Sequence, residues 1–308
     1  MGITSSAPIK SRIAILGAVC LWSTAATVGY KLTAQANAWA IATALESGGL
    51  LFFYFLSRTK GNTPISMPIF REIASHPIVL LQVALFSILV TGYYVAFYYS
   101  IQTLDPVRAN LINYLWPVLF PLFWIVLFRG NAGDKLLYNT FFLALAAIGA
   151  WIMIGAAHSM DNPWCLIKYW PAFLAAIAAA TYLCVVQSRA CLTTEVFYFY
   201  GLSLGLVWIC LLLLFGPVRL DVSLKAIPGL LYLSLFVFGA AQYLLNYALA
   251  NGNKVSISAA VYGVPLVSTA LLVVFGGVAM TETAWIGGGL IVGSRIFLDA
   301  TVYCRRSS

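Results

Sequence analysis

The chain has 308 residues, of which 62% are hydrophobic and only 8% charged, with a formal net charge of +8 and a mean hydropathy of +0.93. A soluble domain carries about 25% charged residues, so lipid must be the main solvent for this surface. The basic residues form no compact patch, which removes the nucleic-acid partner that a positive balance would otherwise suggest.

Apolar stretches of roughly 20 residues, the length that crosses a bilayer, recur along the whole sequence. In chain order they predict ten spans, at 13–30, 38–56, 78–101, 107–128, 136–157, 169–190, 196–215, 228–249, 255–275 and 284–303. The first follows Lys10 and Arg12 and precedes Ala34-Gln35-Ala36, a pattern resembling a secretory signal with its cleavage site. Its apolar run exceeds the usual ~7–15-residue signal core, so it is expected to be retained as a span. Between the second and third spans, 57–77 holds Arg58, Lys60, Arg71, Glu72 and three prolines, and is at most a surface hairpin or a short amphipathic segment. No connection is long enough for a soluble unit, so residues 1–308 are expected to form a single membrane domain.

Spans three and four carry a polar and aromatic face that returns in spans eight and nine, 148 positions later. Thr91, Tyr94, Tyr98, Asn110, Tyr114 and Pro117 correspond to Gly239, Gln242, Asn246, Ser258, Tyr262 and Pro265. The duplication divides the chain into repeat one, 11–158, and repeat two, 163–304, with five spans each. An odd number of spans turns the second copy upside down, so the expected fold is all-α, with ten transmembrane helices as two inverted five-helix repeats around a central cavity. Substrate in such transporters binds near the midplane between the repeats.

Thr91, Tyr94 and Tyr98 fall at i, i+3 and i+7, and Asn110, Asn113, Tyr114 and Pro117 continue as a helical stripe. Unpaired amides in hydrocarbon are costly, so these stripes are expected to face protein or water. Helix-to-helix hydrogen bonding is the alternative role for any one of them. Pro117 and Pro265 are candidate hinges: proline releases the carbonyl four residues earlier, here that of Asn113 or Val261. Trp22 in the first span can join the aromatic group, although plain packing suits it as well.

Few ionisable residues sit inside spans. Glu46, mid-span in the second, is either a buried neutral or paired carboxyl or a proton-coupling site. Arg295 and Asp299, at i and i+4 in the tenth, are expected to form a structural ion pair. His76 and His158 lie at span ends, and the six cysteines show no CxxC spacing, so no metal site, disulfide frame or cofactor is expected. With the N-terminus inside, eleven of the seventeen Lys and Arg fall in cytoplasmic segments and five outside, with Arg295 within a span, so both termini are expected in the cytoplasm.

Leu21-Trp22-Ser23, followed by Lys31, resembles the opening of the EamA-type repeat of the drug/metabolite transporter superfamily. The segment Thr281-Glu282-Thr283-Ala284-Trp285-Ile286-Gly287-Gly288-Gly289 resembles that repeat's close, and Arg189 after span six fits the second opening. The chain departs from the pattern at Arg129-Gly130-Asn131, where a glutamate is usual, and in span six, which lacks the customary tryptophan. Asn113-Tyr114-Leu115-Trp116-Pro117 and the aromatic-rich faces look most like YddG-type exporters of aromatic amino acids. That resemblance implies a bacterial inner-membrane protein with a basket of ten helices that exports Phe, Tyr, Trp and other neutral amino acids.

On this reading Trp22, Tyr94, Tyr98, Asn110, Asn113, Tyr114, Gln242, Asn246, Ser258 and Tyr262 are the candidate substrate-binding residues. Their rings can stack on an aromatic cargo or face its ammonium, and their amides and hydroxyl can bind its head group without carrying charge. The expected protein is a monomer with lipid and a small molecule as its partners, and not an enzyme. A multidrug or other small-metabolite exporter of the same superfamily is the alternative. An intramembrane hydrolase would want clustered His and Glu or paired aspartates at membrane depth, which the sequence does not supply.

Overall fold

The computed structural model describes residues 7–61, 67–128, 133–155, 165–189, 192–251, 260–261 and 263–307. The chain is all-helical over these residues, apart from one isolated antiparallel bridge between Ala36 and Val222. Among the described residues, seven helical segments are long and apolar enough to cross a membrane, and the shorter Thr140–Ile152 and Gly263–Gly276 stretches are apolar too. Exposed Ile78, Leu81, Leu214, Phe215 and Val274 mark the outside of the bundle as a surface for lipid.

The first span is two helices, α1 (Ala7–Ser23) and α2 (Ala25–Thr33), broken at Thr24. The Thr24 hydroxyl donates to the Leu21 carbonyl at 2.7 Å, and the Tyr232 hydroxyl lies 2.9 Å from Thr24 Oγ1. The break is thus held by a side chain from the other half of the chain. α3 (Ala38–Thr59) begins at Asn37, whose side chain accepts from the Ala40 amide at 2.9 Å. The short α4 (Met67–Ser75) buries Ile73 and exposes Phe70, within the segment expected to be amphipathic.

α5 (Pro77–Thr103) is a single long helix with proline in its first turn, where no N–H is missed. The fourth span is α6 (Pro106–Asn113) and α7 (Trp116–Phe128), with a turn at Tyr114–Leu115 immediately before Pro117. Tightened bonds, Leu115 N to Ile112 O and Val118 N to Leu115 O, carry the chain through that turn. α8 (Gly133–Gly155), α9 (Cys165–Lys168), α10 (Trp170–Ser188) and α11 (Thr194–Phe215) follow.

The segment Leu224–Ala248 is the least regular. A 3₁₀ turn (Leu224–Ala226) and α12 (Ile227–Leu231) lead into a nine-residue π-helix, Tyr232–Ala240, and then α13 (Ala241–Asn251). π-helical stretches are rare and concentrate at functional sites. α14 (Gly263–Gly276) and α15 (Glu282–Ser307) complete the chain, with Pro265 in the first turn of α14.

The helices pair as α1 with α13 and α14, α3 with α11 and the π-helix, α5 with α10 and α11, α7 with α10, and α8 with α15. Tyr198 of α11 stacks on Phe53 of α3 at 4.7 Å between ring centroids and meets Phe86 of α5 edge-on at 5.1 Å. Gly201 on α11 allows this approach, because a Cβ there would collide with the Phe86 ring.

The two ends of the bundle are fastened differently. At one, the Asn37 amide N–H donates to the Asp221 carbonyl at 2.9 Å and the Ser223 N–H to the Gln35 carbonyl at 2.8 Å, flanking the Ala36–Val222 bridge. At the other, Lys60 makes an ion pair with Glu195 at 2.5 Å and lies 5.1 Å from the centroid of the Tyr243 ring.

Candidate functional site

A cavity of about 630 Å³ runs through the middle of the helices. Its walls come mainly from α1, α5, the α6–α7 pair, α10, the π-helix and α13, with Ala25 of α2, Leu45 of α3, Thr194 of α11 and Val264 of α14 added. Trp22, Asn110 and Val264 line its deep end, and Gln187, Arg189, Thr194 and Ala250 line the other. Gln187 and Ala250 are exposed whereas Asn110 and Asn113 are buried, so the mouth lies at the end held by Lys60 and Glu195.

The interior is a nest of rings. Tyr93 stacks nearly parallel on Phe97 at 5.9 Å and tilts against Tyr182 of α10 at 5.8 Å. Tyr94 meets Phe238 of the π-helix edge-on at 5.3 Å. Offset and edge-to-face pairs such as these leave ring faces that an aromatic guest can adopt at little rearrangement.

Polar groups are few and placed among the rings. The Asn110 amide donates to Ser268 Oγ at 3.3 Å and to Thr269 Oγ1 at 3.4 Å, tying α6 to α14. Asn113 lies close to Tyr93, and Ser268 close to Tyr114. The Oδ1 atoms of Asn110 and Asn113 are buried and have no hydrogen-bond partner among the described residues. A buried amide oxygen left unpaired costs about 1–3 kcal/mol, so both are set to accept from a guest or from water.

Of the sequence candidates, Trp22, Tyr94, Tyr98, Asn110, Asn113, Tyr114, Gln242, Asn246 and Pro117 all line this cavity. Pro265 sits beside the lining residue Val264, and Ser258 and Tyr262 fall outside the described residues. The side chains of Arg295 and Asp299 also lie outside what the structure describes, although both positions belong to α15.

Two members of the duplicated face leave it. Thr91 turns toward α3, where Glu46 is fully buried, and Gly239 packs against Phe52. Sequence reasoning missed Tyr93, Phe97, Phe120, Trp124, Tyr182 and Arg189 on the cavity wall. A signal existed for Trp116, Phe120 and Trp124, which repeat every four residues, and for Tyr93 and Phe97, which do the same.

Residues 166–298 match the EamA-like transporter family. The aromatic amino acid exporter YddG of Ancylobacter novellus is 28% identical over 219 residues, 70% of this chain and 74% of that protein. The exporter of the same name from Salmonella typhimurium is 26% identical over 66% of this chain and 70% of its own length. A solved crystal structure, 21% identical, superposes over 98% of this chain and 99% of its own with a TM-score of 0.64, a likeness of fold.

Proposed function

From its place among the EamA-like members of the drug/metabolite transporter superfamily, a multi-pass membrane transporter, we propose that this chain exports aromatic and other neutral amino acids across the bacterial inner membrane. The observation that carries the reading is the cavity itself: about 630 Å³, walled by tyrosine, tryptophan and phenylalanine, with buried amide oxygens at Asn110 and Asn113 that have no partner among the described residues. An aromatic zwitterion offers a flat ring to such walls and N–H donors to such oxygens. Neutral contacts suit a carrier, which must release what it binds.

We read the fold as ten spans in two inverted repeats. The helix pairs support this, because exchanging the halves maps one contact onto another. The third span on the sixth (α5 with α10) answers the eighth on the first (α13 with α1), and the fourth on the sixth (α7 with α10) answers the ninth on the first (α14 with α1). The second on the eighth (α3 with the π-helix) answers the seventh on the third (α11 with α5).

The two end fastenings exchange in the same way, since the bridge joins loops one–two and seven–eight while Lys60 and Glu195 join loops two–three and six–seven. The positive-inside distribution supports a cytoplasmic side for the termini and the cavity mouth, the loading side for an exporter. Alternating access exchanges the open and closed ends around the fixed cavity.

The test is flux into proteoliposomes of labelled tryptophan, phenylalanine and an aliphatic neutral amino acid, with and without a pH gradient. Aromatic-selective flux without the gradient is the expected result. Absence of flux for every amino acid in an oriented, folded sample overturns the reading and returns the cargo to drugs and other metabolites.

A further inference from the structure

We propose that Arg189 recognises a carboxylate at the cavity mouth, so that the transporter admits cargo bearing an anionic group and turns away the amine built on the same ring. The inference rests on the transport reading and adds to it a rule of selection.

Among the described residues lining the cavity, Arg189 is the only one with a formal charge, and no aspartate or glutamate lines it. It follows the last residue of α10 and is anchored at two points. One terminal nitrogen donates to the Val186 carbonyl at 2.6 Å, and the other to Thr194 Oγ1 at 2.5 Å. A guanidinium has five N–H donors in a rigid fork, so these bonds fix its plane and leave donors for a planar anion.

The helix termini decide whether a net positive field remains. The C-terminal end of α10 carries roughly half a negative charge and the N-terminal end of α11 roughly half a positive one, so between them the guanidinium keeps its unit charge. Glu195, in the first turn of α11, is taken up by Lys60. The mouth therefore attracts anions, and its low-dielectric walls strengthen that preference.

The deep end differs in kind. Arg189 stands seven residues beyond Tyr182, about 10 Å along a helix. Tyr182 in turn touches Tyr93, which lies close to Asn113. The charged mouth and the neutral acceptor oxygens are thus separate stations, the first sorting by charge and the second receiving N–H donors.

The experiment uses three probes with one ring: phenylalanine, 3-phenylpropionate and phenethylamine. Each competes against labelled phenylalanine in counterflow, and each is titrated against the tryptophan fluorescence of the purified protein, since Trp22, Trp116 and Trp124 line the cavity. The native protein is expected to bind the two carboxylates and to bind phenethylamine at least about tenfold more weakly, the effect of one charge-assisted hydrogen bond. Arg189→Gln is expected to lose that margin and Arg189→Lys to keep part of it.

Equal binding of phenethylamine and phenylalanine by the native protein overturns the inference. So does an Arg189→Gln variant that melts like the native protein and keeps the native order of ligands. Failure of the transport reading shows separately, as fluorescence titrations in the expected order with no flux. Should Arg189→Gln fail to fold, the native ligand order and Arg189→Lys still decide the matter.

Discussion

The carboxyl of Glu46 and the hydroxyl of Thr91 meet at 2.5 Å between α3 and α5, and the same hydroxyl lies 2.8 Å from the Ser87 carbonyl. A threonine hydroxyl has one hydrogen, and a carbonyl has none to give. Both contacts are satisfied when Thr91 donates to Ser87 and a neutral Glu46 donates to Thr91. The other carboxyl oxygen has no hydrogen-bond partner, and no salt bridge involves Glu46 among the described residues. An unpaired buried carboxylate costs several kcal/mol, so the neutral form is the one this arrangement suits.

Glu46→Gln, whose amide donates in the same place, should therefore keep flux within about threefold and leave its pH dependence unchanged. Glu46→Ala should lower stability by about 1–3 kcal/mol, the cost of stranding a buried partner. Flux against pH and thermal melting of both variants check this. A Gln variant whose pH dependence disappears would instead make Glu46 the coupling site.

Gly205 on α11 closes over the same pair. A Cβ there would stand 2.5 Å from Glu46 Oε2 and 2.9 Å from Thr91 Oγ1. Gly205→Ala should destabilise the protein by about 1–3 kcal/mol through overpacking. A melting temperature equal to that of the native protein would contradict it.

Tyr182 joins the cavity from α10 through its contact with Tyr93. Tyr182→Leu keeps an apolar body and removes the ring face, worth about 0.5–1.5 kcal/mol. The half-saturation concentration for tryptophan should rise about two- to tenfold, while that for an aliphatic amino acid stays close to native. Competition assays on both cargoes decide it.

At the end opposite the mouth, Ala36 pairs with Val222 in an antiparallel backbone bridge between the two halves of the chain. Opposed residues of an antiparallel bridge lie within the Cα separation that a disulfide spans. With the six native cysteines replaced, the double variant Ala36→Cys and Val222→Cys should cross-link under mild oxidant and stop flux, and reductant should restore it. Cross-linking that leaves flux intact would show that this end need not open.

Much of the cavity was legible from the helical stripe of Tyr94, Tyr98, Asn110, Asn113 and Tyr114, because polar and aromatic residues repeating at 3.6 in an apolar span have few other places to go. The stripe failed at Thr91, which found a buried acid on a neighbouring helix, a contact no local pattern encodes. Arg189 ends a span, where an arginine looks like any solvated positive charge until α11 folds back and Thr194 anchors it. The break at Tyr114–Leu115 was foreshadowed by Pro117. The break at Thr24 was not, since it depends on Tyr232, 208 residues away.

The π-helix at Tyr232–Ala240 winds one wall of the cavity with more residues per turn than the α-helices around it. Rewinding that stretch by a single residue into α form would turn the α13 helix beyond it by about 100° about its axis. Gln242 and Asn246 would then swing out of the cavity together, with no peptide backbone having to leave a helix. Such a rewinding would show a guest a different wall, as a screw shows a different side of its thread with each fraction of a turn.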